Sequence, residues 1–261
     1  MSVSKKNVWR VAGSDGVGGA GVQADIKSCE AFGCFSASVI TAVTAQNTNG
    51  VSSVLAMPAS MVKAQFEMVL AELDIDAVKV GMLFNEEIIA VVSAFLKELR
   101  AKNVPVVIDP VCVAKSGAKL LEDGAIEALK ELLNLASVAT PNVDEARILG
   151  INFTNLPCDM VLKRTKVDEI CEDTLYLKNG GVMKFSEEIF EPRVMHGAGC
   201  SFSSSLAAIL AKKSDLVNAI KMAQTFVAKP SHFRPRFSLR PCSQRDSALR
   251  LRHGLQQSHA L

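Results

Sequence analysis

The sequence predicts an α/β protein, a three-layer αβα sandwich whose central sheet is mostly parallel, with helices on both faces. Three observations carry this. Short apolar runs bounded by turn residues alternate with segments of helical spacing along most of the chain, the pattern of strands joined by crossover helices. The runs NVWRVAG, SASVITAV, DAVKVGML, VPVVIDPV, ASVAT and DMVLK read as buried strands. Polar or Gly-rich clusters follow them in turn, as GSDGVGGAG, TAQNTNG, GML, DPVCVAKSG and TPNVDE, and an open α/β sheet binds its ligands outside the carboxyl ends of its strands.

The helical segments fall at residues 20–32, 59–72, 85–102, 123–134 and 142–149. The one from Asn85 is the clearest, with Ile88, Ile89, Val92, Phe95, Leu96 and Leu99 on one stripe and Lys97, Glu98 and Arg100 off it. Beyond the sixth strand, TLYLKNGGVMKFSEEIF reads as a hairpin about Lys178-Asn179-Gly180-Gly181. MHGAGCSFSSSLAAILA then reads as a Gly-rich turn that opens a helix. Between Gly150 and Met160 there is only INFTNLPCD, so the crossover closes but one sheet face is expected to be thinly covered.

A chain of 261 residues that is 49% apolar and 21% charged buries a sizeable core. No run approaches the roughly 18 apolar residues of a membrane span, so a cytoplasmic protein without membrane contact is expected. The seven cysteines show no C-x-x-C spacing and read as reduced thiols. Residues 229–261 hold seven of the 29 Lys and Arg against a single acid, Asp246. With two aromatics and no recognisable binding module, this stretch is read as a basic, poorly ordered tail rather than a nucleic-acid-binding arm, and residues 1–228 as the domain.

Two segments carry chemistry. In VAGSDGVGGAGVQAD, Gly16, Gly18 and Gly21 spell the dinucleotide fingerprint G-x-G-x-x-G. No acidic residue near position 40 closes a second strand to take ribose hydroxyls, so a dinucleotide oxidoreductase rests on the glycines alone. In His196-Gly197-Ala198-Gly199-Cys200, the glycines let successive amides face one concavity, and the helix that follows adds its positive end. Such a turn takes an oxyanion or a phosphate. Cys200, in the first turn of that helix, is expected to be a thiolate-prone base or nucleophile; the alternative is a small residue packed at a crowded helix start. His196 either pairs with Cys200, as in a thiol hydrolase for which no orienting third group is evident, or bonds backbone.

On VAGSDGVGGAGVQADIKSCEAFGCFSASVITAVTAQNTNGV, DAVKVGML, VPVVIDPVCVAKSGAKLL, TPNVDEARILG and MHGAGCSFSSSLAAILA, the chain resembles the hydroxymethylpyrimidine/phosphomethylpyrimidine kinases of thiamin biosynthesis, members of the ribokinase-like superfamily. The resemblance implies ATP-dependent phosphorylation, with Mg2+, of 4-amino-5-hydroxymethyl-2-methylpyrimidine and its monophosphate by a homodimer. It places Gly13, Ala20 and Asp25 around the pyrimidine, Gln46 at its amino edge, and Met82 and Val111 on its faces. It sets Asp109 and Glu145 near the metal and phosphates, with Asn142 beside them and Lys163 reaching toward nucleotide phosphate. Cys200 would take or hold the hydroxymethyl proton, while the amides of Gly197, Ala198, Gly199 and Cys200 steady the moving phosphoryl group. Many sugar kinases of this fold carry Asp where this chain has Cys200. Some relatives act on pyridoxal-type vitamers, which is one alternative reading; a non-catalytic pyrimidine-binding homologue is another. The chain departs from the family pattern at Ala198 (usually Thr), at Lys163-Arg164-Thr165 (usually Lys-Gly-Gly) and after Lys229.

Overall fold

The structure is a computed structural model that describes residues 5–114, 117–167, 170–188 and 197–228. Both the tail 229–261 and His196 lie outside the described residues. Nine strands form one sheet in the order β3-β2-β1-β4-β5-β6-β7-β8-β9. The strands are β1 (Asn7–Asp15), β2 (Phe35–Asn47), β3 (Gly50–Ala56), β4 (Ala77–Val80), β5 (Val106–Ile108), β6 (Val138–Ala139), β7 (Asp159–Val167), β8 (Ile170–Tyr176) and β9 (Val182–Glu188). The six central strands β2, β1, β4, β5, β6 and β7 pair parallel with one another; β3 at one edge and β8 and β9 at the other are joined by antiparallel pairing. The expected three-layer sandwich is the observed one, and parallel pairing puts six strand ends along one edge of the sheet.

Helices α1 (Gly21–Ala31), α6 (Ala198–Ala211) and α7 (Leu216–Ala228) contribute to one core layer, and α2 (Ala59–Leu70), α3 (Glu86–Ala101) and α4 (Ile126–Leu132) to the other. Alternation along β1 divides them: Val8 faces the α6 layer, while Trp9 and Val11 face α2 and α3. There Trp9, Phe66 and Phe95 stack, with ring centroids 4.1 Å apart for Phe66 and Phe95 and 5.7 Å for Trp9 and Phe95. α3 starts where its sequence says it should: the Asn85 side chain accepts from the Ile88 amide, Glu86 and Glu87 occupy the first turn, and Arg100 the last.

Two elements go beyond those the spacing indicates. β3 forms a hairpin with β2 across Asn47–Gly50, and its two serines and half-exposed side chains lack a strand's strong apolar pattern. α7 buries only the small stripe Ala219, Ile220, Ala223 and Gln224. The short connection after α5 (Val143–Ile148) covers its sheet face without a second helix. Ile151, Phe153 and Leu156 pack onto the α2–α4 layer, and the Phe153 ring lies 4.5 Å from that of Tyr176.

Candidate active site

A cavity of about 690 Å³ opens at the carboxyl ends of the parallel strands. β1 supplies Gly13, Ser14 and Asp15, β2 supplies Thr44 and Gln46, and β4 supplies Lys79, with Met82 just beyond its end. Asp109 and Val111 follow β5, Asn142 and Glu145 follow β6, and Lys163 comes from β7.

The first glycine loop is closed by its own aspartate. The Asp15 carboxylate accepts from the amides of Val17 (3.1 Å), Gly19 (3.1 Å) and Ala20 (2.8 Å). Gln23 braces the entrance, accepting from the Asp15 amide at 2.8 Å and donating to the Ser14 hydroxyl at 2.7 Å. Amides that a dinucleotide loop would turn toward pyrophosphate are therefore already engaged, which answers the G-x-G-x-x-G motif.

The second loop packs directly on the first. Gly197 has φ +78°, and a Cβ there would lie 1.7 Å from the Gly19 carbonyl oxygen, so neither the backbone angle nor the space admits a side chain. α6 begins at the next residue, with the Ser201 amide donating to the Gly197 carbonyl at 2.9 Å. Ala198, Gly199 and Cys200 form its first turn, where amides have no carbonyl one turn back within the helix. All three line the cavity, as does Gly197. This is the oxyanion-accepting arrangement the motif implies.

Cys200 itself departs from expectation. Burial pushes its thiol up to about 11; the charges of Asp25 and Asp109 add to this, against the Lys79 ammonium and the Gly21 amide, which favour the anion. Its place at a helix start promised a thiolate, but two carboxylates and the recessed floor prevail, and the resting group is a thiol.

Two buried lysine–aspartate pairs flank that sulfur. Lys79 Nζ lies 2.8 and 3.0 Å from the Asp25 oxygens, both side chains fully buried, and the Ser204 hydroxyl donates to Asp25 at 2.7 Å. Burial works against the Lys79 charge, but Asp25, Cys200 and Asp109 together hold it above the usual lysine range. Lys163 donates to Asp109 Oδ1 at 2.5 Å, Thr140 to the same oxygen at 3.3 Å, and Ser203 to Oδ2 at 3.1 Å. Burial raises the Asp109 carboxyl, yet Lys163 and Lys79 bring it below the usual carboxylate value.

Asn142 and Glu145 form a capping box on α5: the Asn142 side chain accepts from the Glu145 amide and Glu145 Oε2 from the Asn142 amide, each at 2.8 Å. A single parallel bridge between Asn142 and Lys163 sets this cap beside the lysine.

Gly13, Ala20, Gln46, Met82, Val111, Asp109, Asn142, Glu145, Lys163 and residues 197–200 thus line one cavity, as the sequence reading expects. Asp25 does not. It lies beneath the floor, spent on Lys79 and Ser204, because a buried ammonium takes the nearest carboxylate. Lys79 is the residue the sequence reading overlooks, although a lysine inside the apolar strand AVKV is itself a signal of a buried partner.

A mostly parallel αβα sheet, with a helix-start amide cradle between two buried lysine–aspartate pairs, defines a small-molecule kinase of the ribokinase-like fold. The chain belongs to the phosphomethylpyrimidine kinase family, whose model matches residues 15–236. It is 39% identical over 242 residues to a hydroxymethylpyrimidine/phosphomethylpyrimidine kinase of Haemophilus influenzae, covering 85% of this chain and 89% of that one. It is 39% identical over 238 residues to the thiamine biosynthesis bifunctional protein ThiED of Geobacter sulfurreducens, covering 85% of this chain but 48% of that longer one. Among solved structures, the phosphomethylpyrimidine kinase of Clostridium difficile 630 superposes with TM-score 0.71 at 33% identity, over 85% of this chain and 98% of that one. The pyridoxal kinase of Staphylococcus aureus in complex with AMP-PCP and pyridoxal gives TM-score 0.74 at 29% identity, over 87% of each chain.

Proposed function

We propose that this chain transfers the γ-phosphoryl group of ATP to the hydroxymethyl oxygen of 4-amino-5-hydroxymethyl-2-methylpyrimidine, and then phosphorylates the resulting monophosphate. The observation that carries this reading is the set of helix-start amides at Ala198, Gly199 and Cys200, opening into a cavity that also holds Lys79, Lys163 and Asp109. The pyrimidine lies at the end formed by Gly13, Gln46, Met82 and Val111. The Gln46 amide both donates and accepts to an aminopyrimidine edge.

Phosphoryl transfer through a loose transition state asks little covalent chemistry of the protein, so positioning and charge stabilisation carry most of the catalysis. The amides of residues 197–200 hold charge developing on the phosphoryl oxygens. Cys200 rests as a thiol; its thiolate fraction, which Lys79 and the Gly21 amide favour, is the form that takes the hydroxymethyl proton as the oxygen is phosphorylated, and the thiol then gives that proton up to solvent. Lys163 balances phosphate charge while tethered to Asp109.

Mg2+ takes one or two carboxylates and completes its shell with water and substrate phosphates. Asp109 and Glu145 both line the cavity and suit that donor set, with no group of three or more His, Cys, Asp or Glu among the described residues to form a full protein cage. They would hold the ion, which would neutralise charge on the nucleotide phosphates.

We also assign the chain a homodimeric state. On the β2–β3 edge Val43 and Leu55 pair across the hairpin, 46% and 65% exposed, which suits a face covered by a second copy. A cytoplasmic setting fits cysteines that form no disulfide among the described residues, where no helix is long and apolar enough to cross a membrane.

The test is mass analysis of products from ATP and the pyrimidine alcohol, resolving monophosphate from diphosphate, with pyridoxal as a competing acceptor. Both phosphates appear if the reading holds. Binding of the alcohol without turnover overturns it in favour of a non-catalytic homologue, and preferential consumption of pyridoxal in favour of a pyridoxal-type kinase.

A further inference from the structure

At the end of α1 remote from the cavity, a helix-terminating turn sets two cysteines side by side against a buried arginine. Gly33 ends the helix with φ +68°. The Cys34 amide donates to the Cys29 carbonyl at 3.2 Å and the Gly33 amide to the Glu30 carbonyl at 2.8 Å. These are the paired bonds of a Schellman motif, in which side chains at the positions of Cys29 and Cys34 come into contact. Both cysteines are fully buried in the layer beneath α6, and Cys34 Sγ lies 3.6 Å from the Ala208 carbonyl oxygen.

Arg10 enters the same layer from β1. None of its side chain is exposed, and among the described residues none of its three guanidinium nitrogens has a hydrogen-bond partner and no carboxylate pairs with it. A guanidinium does not shed its proton in proteins, and a buried charge without a counter-charge is costly. The groups beside it able to become anionic are the two thiols, and they are not equivalent. The neighbouring Cys34 thiol, then the Arg10 charge and the Ser36 hydroxyl, favour the Cys29 anion in spite of burial, with Cys29 Sγ 3.7 Å from the Phe35 carbonyl oxygen. Cys34 is raised, first by the Cys29 sulfur and then by burial, with Lys212 opposing.

We propose that Cys29 and Cys34 are a redox couple, Cys29 the peroxide-reactive sulfur and Cys34 the resolving thiol, with Arg10 as the counter-charge of the reduced form. The Cys29 thiolate attacks one oxygen of hydrogen peroxide. The O–O bond breaks, hydroxide leaves and is protonated to water, and Cys29 becomes a sulfenic acid. The Cys34 sulfur then attacks the Cys29 sulfur and the S–O bond breaks. The hydroxyl departs as water with the Cys34 proton, and a disulfide forms. The two sulfurs lose two electrons in all and the peroxide gains them; a dithiol reductant reverses the change.

The experiment treats the full chain with hydrogen peroxide, blocks remaining thiols with iodoacetamide, and weighs the tryptic peptide from Ser28 to Lys63, which contains both cysteines. In the wild type this peptide loses two hydrogens and both alkylation sites about tenfold faster than Cys158 is oxidised, and dithiothreitol restores it. In Cys34→Ser, dimedone labels Cys29; in Cys29→Ser, Cys34 gains no label. Alkylation of both cysteines after peroxide, at the same rate as Cys158, overturns the proposal, as does dimedone labelling of Cys34 in Cys29→Ser. The wild-type measurement decides the matter even if a serine variant fails to fold, and its readout is thiol mass, independent of kinase turnover.

Discussion

Lys79 and Asp25 face each other across 2.8 Å with no part of either side chain exposed, and both charges act on the Cys200 thiol. Breaking such a pair strands a charge in the core. Lys79→Met or Asp25→Leu alone is expected to cost about 3–5 kcal/mol, and the two together less than their sum. Denaturant unfolding of the three variants measures this, and strict additivity would refute the coupling.

The same pair tunes the sulfur in opposite directions. Asp25 raises the Cys200 thiol and Lys79 lowers it, so Asp25→Asn shifts its titration below about 11 and Lys79→Met shifts it above. The pH dependence of iodoacetamide labelling at Cys200 reads both shifts.

Turnover follows from that titration. With the thiol at about 11, the anion fraction of the free protein climbs with pH, so kcat/KM rises up to about tenfold per pH unit toward that value while Cys200 acts as the base. Cys200→Ala lowers kcat by about a hundredfold or more and flattens the profile. A wild-type profile level through the alkaline range assigns the proton to another group.

Gly197→Ala places a methyl group where the Gly19 carbonyl already lies, on a backbone angle that L residues avoid. We expect a loss of about 2 kcal/mol or more in stability and a fall in kcat, since the two loops must part to admit it. Gly124→Ala, with nothing within 4 Å of the added carbon, is the control.

Asp109→Asn and Glu145→Gln are each expected to raise the Mg2+ concentration needed for half-maximal turnover by about tenfold. Phe95→Ala, in the aromatic stack behind the sheet, is expected to cost about 3–5 kcal/mol of stability and leave substrate KM unchanged. Metal titration and thermal melts separate the two classes.

Much of this was legible in the residues themselves. Alternating strand and helix patterns dictated the parallel sheet, and the clusters after each strand located the cavity, because parallel strands bring their carboxyl ends to one edge. What escaped reading depends on contacts distant in sequence. Asp25, on α1, looks like a cavity residue until Lys79, on β4, claims it. Cys200 looks like a thiolate until burial, with the charges of Asp25 and Asp109 more than 90 positions away, raises it. β3 escaped because Ser52 and Ser53 interrupt its apolar residues Val51, Val54 and Leu55, which leaves no period-2 alternation to announce it.

Ser203 and Ser204 are consecutive residues of α6, yet one grips Asp109 and the other Asp25. Neighbours on a helix point about 100° apart, so a single rod holds the two buried lysine–aspartate pairs in fixed alignment. The spacing between the two buried lysine–aspartate pairs is thereby set by helical pitch rather than by loop flexibility, and a twist of α6 would misalign both at once.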